Sequence, residues 1–144
     1  MPNHFHILIQ VRDEEAIRQL AKNDHDEFNF HRFIMQQVSN FLNSYAKAFN
    51  KQYGRRGALF LDFTRRKEIK DEFYFSRLIN YIHQNPVHHG FCKSAAEWDY
   101  SSYNSIISMN KSSKLERRAV FDWFGGIEEF VAFHQNEKFL DSDL

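Results

Sequence analysis

Four residues of this chain have types and spacings that could do chemistry together. His4 and His6 stand one residue apart in "PNHFHILIQV", and Tyr81 and Asn85 stand four apart in "YIHQNP". On an extended backbone, residues i and i+2 share a side, so His4 and His6 present two imidazoles together and Phe5 points to the opposite side, toward a core. Such a pair is either half of a metal site or two exposed bystanders, and the spacing alone leaves both open. On a helix, i and i+4 share a face, which sets the Tyr81 phenol beside the Asn85 carboxamide. Each also has a structural reading, Tyr81 as a core aromatic and Asn85 as a helix-end residue ahead of Pro86.

These pairs need a strand and a helix to position them. His4 to Val11 is rich in Ile, Leu and Val and loosely alternating, which predicts a buried strand. Ala16 to Lys22 predicts a short helix and "NDHDE" at 23–27 a polar loop. In "FNFHRFIMQQVSNFLNSYAKAFNKQYG", Phe30, Phe33, Ile34, Val38, Phe41, Leu42, Tyr45 and Phe49 recur at helical spacing, with Gly54 as the stop. Ala58 to Thr64 alternates as a strand would, then runs into a basic tail. "DEFYFSRLINYIHQN" predicts a helix that starts on acidic residues and ends at Pro86. Beyond Gly90, "SAAEWDYSSYNSIIS" predicts a turn and a short helix, "MNKSSKLERR" a loop, and "GGIEEFVAFHQN" a last short helix.

The chain has 144 residues, the size of one domain. Its 19 basic and 19 acidic side chains cancel, so any nucleic-acid partner must be read from local charge. Between Lys51 and Lys70, seven basic residues (Lys51, Arg55, Arg56, Arg65, Arg66, Lys67 and Lys70) face only Asp62 and Glu68. Tyr53, Phe60 and Phe63 lie among them, a pattern that suits single-stranded DNA, with cations on the backbone and rings on the bases. A solvated strand end accounts for the charge equally well. Lys111, Lys114, Arg117 and Arg118 read as a soluble loop. The single cysteine, Cys92, can form no intrachain disulfide, which fits a reducing cytoplasm, and no segment is apolar for long enough to span a membrane. Of the other histidines, His83 is turned away from Tyr81 and reads as structural or as a DNA contact, His88 and His89 as exposed or phosphate-touching, and His25, His31 and His134 show no partner pattern.

Taken together, "PNHFH", "YIHQNPV", "YGRRGALFLDFTRR", "WDYSSY" and the long helix between the first two resemble the single-tyrosine transposases with a histidine, hydrophobe, histidine (HUH) motif, among them the REP-associated tyrosine transposases. The resemblance spans about Met1 to Tyr103, so 1–103 is expected to be a catalytic core and 104–144 a C-terminal loop and helix of the same domain. It implies an α+β, ferredoxin-like (RRM-like) sheet with helices packed on it. Family members carry a strand, helix and strand ahead of the motif, and here Met1 stands at that point, so the first half of the sheet is expected to be missing through a late gene start, decay or replacement by another chain.

By the same resemblance, His4, His6 and Asn85 hold a divalent ion, Mg(II) or Mn(II), and Tyr81 is the nucleophile. The implied reaction nicks and rejoins single-stranded hairpin DNA through a 5'-phosphotyrosine, in a homodimer, with Arg55, Arg56, Arg65, Arg66 and Lys67 on the DNA. The alternative is a member of the same family that binds DNA and no longer cleaves it. A third reading, a small metal-binding domain unrelated to DNA, predicts metal uptake alone.

Overall fold

The structure, a computed structural model, describes residues 4–21, 28–60 and 64–135. Six helices carry it: α1 (Glu14–Ala21), α2 (Phe30–Gln52), α3 (Glu72–His88), α4 (Tyr103–Ile107), α5 (Arg117–Phe124) and α6 (Ile127–Gln135), with one 3-10 turn at Ala95–Glu97. Among the described residues there is no strand, which overturns the expected ferredoxin-like sheet. Residues 4–13 carry no regular secondary structure and lie in no strand ladder, and 58–60 likewise belong to no strand. Alternation of side chains signals an extended backbone, whereas a strand exists only as one side of a ladder. The rest of the second predicted strand, 61–63, lies outside the described residues, as does the predicted loop at 23–27.

Exposure corrects the first expected strand further. Phe5, placed toward a core by its alternation, is 49% exposed, and Ile7 and Ile9 are 56% and 58% exposed. With no sheet to give the segment an inner face, alternate residues have nothing to be buried against.

The chain divides into two compact units, one of residues 9–66 and one of residues 1–8 with 67–144. In the first, Asp13 and Asn29 start α1 and α2 by accepting hydrogen bonds from the backbone N–H groups of Ala16 and Arg32, both 2.8 Å long. Ile17 is buried on α1, while no described residue of α2 is fully buried. α2 ends as its sequence predicts: Gly54 has φ of +61°, a left-handed turn that suits glycine, and the Arg55 N–H returns to the Asn50 carbonyl.

The second unit holds the core. Ile79, Ala95, Tyr103, Ile106 and Phe130 are buried together, and Leu8, Phe75, Val120, Phe121, Phe124 and Val131 pack round them. Phe130 is fully buried, with the rings of Phe124 and Tyr103 centred 5.0 and 5.7 Å away. Leu8 is the link that matters for chemistry, because it ties the histidine-bearing segment to this core. Of α5, only Arg117 and Arg118 fall in the stretch expected to be a loop, and the sequence reading makes no assignment for 119–124; Gly125, with φ of +89°, closes a helix over Arg117–Phe124.

α3 begins at Asp71, whose carboxylate accepts from the Tyr74 N–H at 2.7 Å. It does not stop before Pro86 but runs on to His88. A proline this near a C-terminus removes one ladder bond only, and the turn beyond it is closed by the N–H groups of His89, Gly90 and Phe91 on the carbonyls of Asn85, Val87 and Pro86.

A buried chain of hydrogen bonds locks α3 to α6 and to the turn before α4. His134 Nδ1 donates to the Phe130 carbonyl at 2.7 Å, since a carbonyl can only accept. Its Nε2 is then the acceptor for His83 Nδ1–H at 2.8 Å, and His83 Nε2 in turn accepts the Ser102 hydroxyl at 2.8 Å. Both rings must therefore be neutral. Burial, together with the neighbouring His134, pushes His83 down to about 3, and burial pushes His134 down to about 4 against a smaller upward pull from the Phe130 carbonyl. Gln84 adds a bond from its side-chain amide to the His134 carbonyl at 2.6 Å.

These two histidines make stability depend on pH. Below the ordinary histidine pKa of 6.5 the unfolded chain takes up protons that the folded chain refuses, so stability is full above about pH 6.5 and declines as pH falls toward about 4. Each ring contributes a slope of up to about 1.4 kcal/mol per pH unit. Urea unfolding at pH 7, 6, 5 and 4 should show this decline, and His134→Leu should be less stable at pH 7 but shallower in its pH dependence.

Candidate active site

The segment bearing His4 and His6 and the helix bearing Tyr81 and Asn85 meet within one compact unit. The His4 and His6 rings are centred 5.2 Å apart, edge to face, as expected for i and i+2 on an extended backbone. The His6 ring meets Tyr81 at 5.6 Å, and the His4 ring meets His89 at 6.3 Å, also edge to face. Tyr81, Asn85 and His89 follow one another at four-residue steps along the end of α3. Asn85 lies between Tyr81 and His89 on that side of α3.

Asn85 is 2% exposed, and its side-chain oxygen finds no hydrogen-bond donor among the described residues. A buried amide oxygen left without a donor is costly for folding, and it is the kind of acceptor a hard or borderline cation takes. The histidines are partly open to solvent. Burial, followed by the charge that His4 can carry, lowers the His6 pKa and so favours the neutral imidazole that a metal requires. Two imidazoles and an amide oxygen are donor types that Mn(II), or Mg(II) completed by phosphate oxygens, can accept. Among the described residues no three His, Cys, Asp or Glu side chains form a metal-holding group.

The basic residues expected on DNA are exposed throughout. Arg55, Arg56, Arg65, Arg66 and Lys67 form no ion pair with a described carboxylate. Arg55 lies over the Phe49 ring at 5.7 Å, and the Phe49 ring is 4.5 Å from that of Tyr53, which is 60% exposed. Arg66 donates to His31 Nε2 at 3.2 Å, which gives His31 a partner the sequence did not reveal. In the other unit, Lys67 sits 4.3 Å over the Tyr74 ring, a cation–π contact. Of the remaining residues named from the sequence, Phe63 and His25 lie outside the described residues.

Sequence reasoning missed the buried trio of Ser102, His83 and His134. His83 was read as structural or DNA-facing, and its burial at 2% exposure makes it structural. The available signal was in the helices themselves: His83 lies two residues from Tyr81 and so on the far side of α3, while His134 falls one turn after Phe130 on the inner side of α6.

The fold is helical among its described residues, and the resemblance to single-tyrosine transposases has a counterpart among known proteins. The chain is 26% identical over 106 residues to a Haemophilus influenzae protein described as a REP-associated tyrosine transposase. The match covers 72% of this chain and 55% of that protein, so the chain spans about half the length of its relative. No family model matches, and no solved structure does. No helix among the described residues is long and apolar enough to cross a membrane.

Asn80, beside Tyr81, is fully buried with both polar side-chain atoms unpartnered among the described residues. Replacing such a group by an apolar one of similar size removes its desolvation penalty, about 1–3 kcal/mol. Asn80→Leu should therefore leave the melting temperature unchanged or raise it, as thermal unfolding followed by circular dichroism would show.

Proposed function

We propose that the chain is a metal-dependent DNA strand transferase in which Tyr81 attacks a phosphodiester of single-stranded hairpin DNA. The observation that carries this reading is the edge-to-face contact of His6 with Tyr81 at 5.6 Å, which brings a metal-binding imidazole pair to the phenol. In the reaction the phenolic oxygen bonds to phosphorus and its proton passes to solvent. The bond from phosphorus to the 3' oxygen breaks, and that oxygen leaves as a 3'-hydroxyl once protonated. The product is a 5'-phosphotyrosine, which keeps the energy of the phosphodiester for rejoining.

His4, His6 and Asn85 are the residues that would hold the divalent ion, Mg(II) or Mn(II). When bound, such an ion polarises the phosphate and favours the phenolate. Arg55, Arg56, Arg65, Arg66 and Lys67 would grip the DNA backbone, with the Phe49 and Tyr53 rings available for stacking. The assembly expected from the resemblance is a homodimer.

A labelled hairpin oligonucleotide incubated with the protein and Mn(II) should yield a covalent adduct that survives denaturing electrophoresis. Tyr81→Phe should abolish it, a loss of at least about 1000-fold for removal of a nucleophile. An adduct that persists in Tyr81→Phe, or none from the folded protein with either ion, would overturn the reading.

One observation favours the non-catalytic alternative: the segment carrying His4 and His6 is not held in a sheet, and a loosely held ligand pair loses catalysis before binding. In that case Tyr81→Phe leaves DNA affinity unchanged. In both readings, replacing Arg65 and Arg66 together by Ala should weaken hairpin binding and lower the slope of log affinity against log salt by about 2. Fluorescence anisotropy between 50 and 200 mM salt, a range in which phosphate contacts dominate, measures this.

A further inference from the structure

We propose that the loop joining α4 to α5 holds a binding site for a phosphate oxyanion, lined by Ser105, Ser108, Lys111, Ser112, Ser113 and Arg117. The site is independent of the reading of Tyr81 as a nucleophile and of any metal.

The loop and the start of α5 carry Lys111, Lys114, Arg117 and Arg118 against Glu116 alone, a pattern that the sequence reads as ordinary solubility. The structure gives this stretch a form that solubility does not require. Arg117, the first residue of α5, reaches back across the loop and donates from Nε to the Ser105 carbonyl and from Nη1 to the Lys111 carbonyl, both at 2.7 Å. One planar guanidinium therefore pins α4 and the middle of the loop to the helix that follows. Two shorter links close the loop on itself, the Lys111 N–H on the Ser108 carbonyl at 3.3 Å and the Leu115 N–H on Ser113 Oγ at 3.1 Å. Between them lies a cavity of about 170 Å³.

The chemistry of the lining is one-sided. A guanidinium has five N–H donors, and the two carbonyls leave Arg117 with three of them. Neither Arg117 nor Lys111 forms an ion pair with a described carboxylate. The hydroxyls of Ser105, Ser108 and Ser112 bond to no other described residue, and Ser113, an acceptor toward Leu115, keeps its hydroxyl hydrogen to donate. No carboxylate lines the cavity, so it attracts an anion and repels a cation.

Size and direction narrow the anion. The volume is well below the roughly 300–1,000 Å³ of cavities that bury a drug-sized ligand, which leaves room for a small oxyanion or for one phosphate group of a larger molecule. Donors reach it from three sides: Ser105 and Ser108 at the end of α4, Lys111 to Ser113 in the loop, and Arg117 at the start of α5. That spread suits the tetrahedral oxygens of a phosphate rather than the two coplanar oxygens of a carboxylate. The N-terminal end of α5 adds a partial positive charge, and its N-cap, Glu116, makes no side-chain bond to the first N–H groups of the helix. A phosphodiester of nucleic acid and free phosphate present the same chemistry to such a site.

Titration of the isotope-labelled full chain with sodium phosphate at constant ionic strength, followed by nuclear magnetic resonance, tests the site. The amide signals of 105–117 should shift saturably. Lys111→Gln should weaken phosphate binding at least about 10-fold, the loss expected for one charge-assisted hydrogen bond. Arg117→Lys, which keeps the charge and loses the fork that holds the loop, should weaken it similarly. Arg118→Gln removes the same charge from an exposed side chain outside the lining and should bind as the wild type does. Anisotropy with hairpin DNA separates the two sources. For a nucleic-acid phosphodiester, Lys111→Gln should lower the slope of log affinity against log salt by about 1, with Arg118→Gln unchanged. For free phosphate, Lys111→Gln should bind the hairpin as the wild type does while its phosphate affinity falls. Tyr81→Phe should change neither affinity. Equal losses in Lys111→Gln and Arg118→Gln would mean attraction to a basic loop alone and would overturn the site. So would a wild type that shows no saturable shift and binds the hairpin no better than Lys111→Gln.

Discussion

The arrangement of the candidate site depends on how α3 is held, and that is decided by one buried chain of hydrogen bonds. Ser102, His83 and His134 form a line of donors and acceptors that ends on the Phe130 carbonyl, with both imidazoles neutral and each tautomer determined by the next. A line of this kind tolerates little rotation or sliding of α3 against α6, because any shift would leave a buried ring nitrogen unpaired. Phe130, fully buried beneath it, supplies the apolar surroundings that keep both rings uncharged. On the other side of α3, Tyr81 and His89 meet the rings of His6 and His4. One helix thus has a sealed face that sets its register and a more accessible face turned to the histidine-bearing segment.

The extended segment is placed by different means. It has no strand partner among the described residues, and its hold on the second unit runs through Leu8 in the core and through the ring contacts of His4 and His6. Edge-to-face ring contacts contribute about 0.5–1.5 kcal/mol each, far less than a strand ladder flanked on both sides. The α3 wall of the candidate site, in contrast, is held by the buried core and the histidine network.

Local signals were legible wherever a single stretch of chain decides the outcome. The periodicity of Phe33, Val38, Leu42 and Phe49 predicts α2, the acidic start at Asp71 predicts the beginning of α3, and Gly54 marks a stop. The rings of His4 and His6 lie side by side, as their spacing predicts, whereas the approach of His6 to Tyr81 on α3 has no local signal. Illegible features each required a partner distant in sequence. A strand needs a second strand, and Ile7, Ile9 and Val11 have none among the described residues. The histidine network joins residues 51 apart, and neither His83 nor His134 carries a local mark of that bond.

By itself, then, the sequence determined most of the helical segments and several of their ends, and which residue types stand at spacings that could do chemistry, because capping, periodicity and donor type are properties of a few neighbouring residues. Tertiary structure alone decided that the described residues of the alternating segments form no strand, that α5 is a helix, that His83 belongs to the core, that Pro86 lies inside α3, and that His89 stands beside His4. Those outcomes depend on which backbone groups and rings find partners across the fold, and the free energy of an unpaired buried group outweighs the local preference of the residue that carries it.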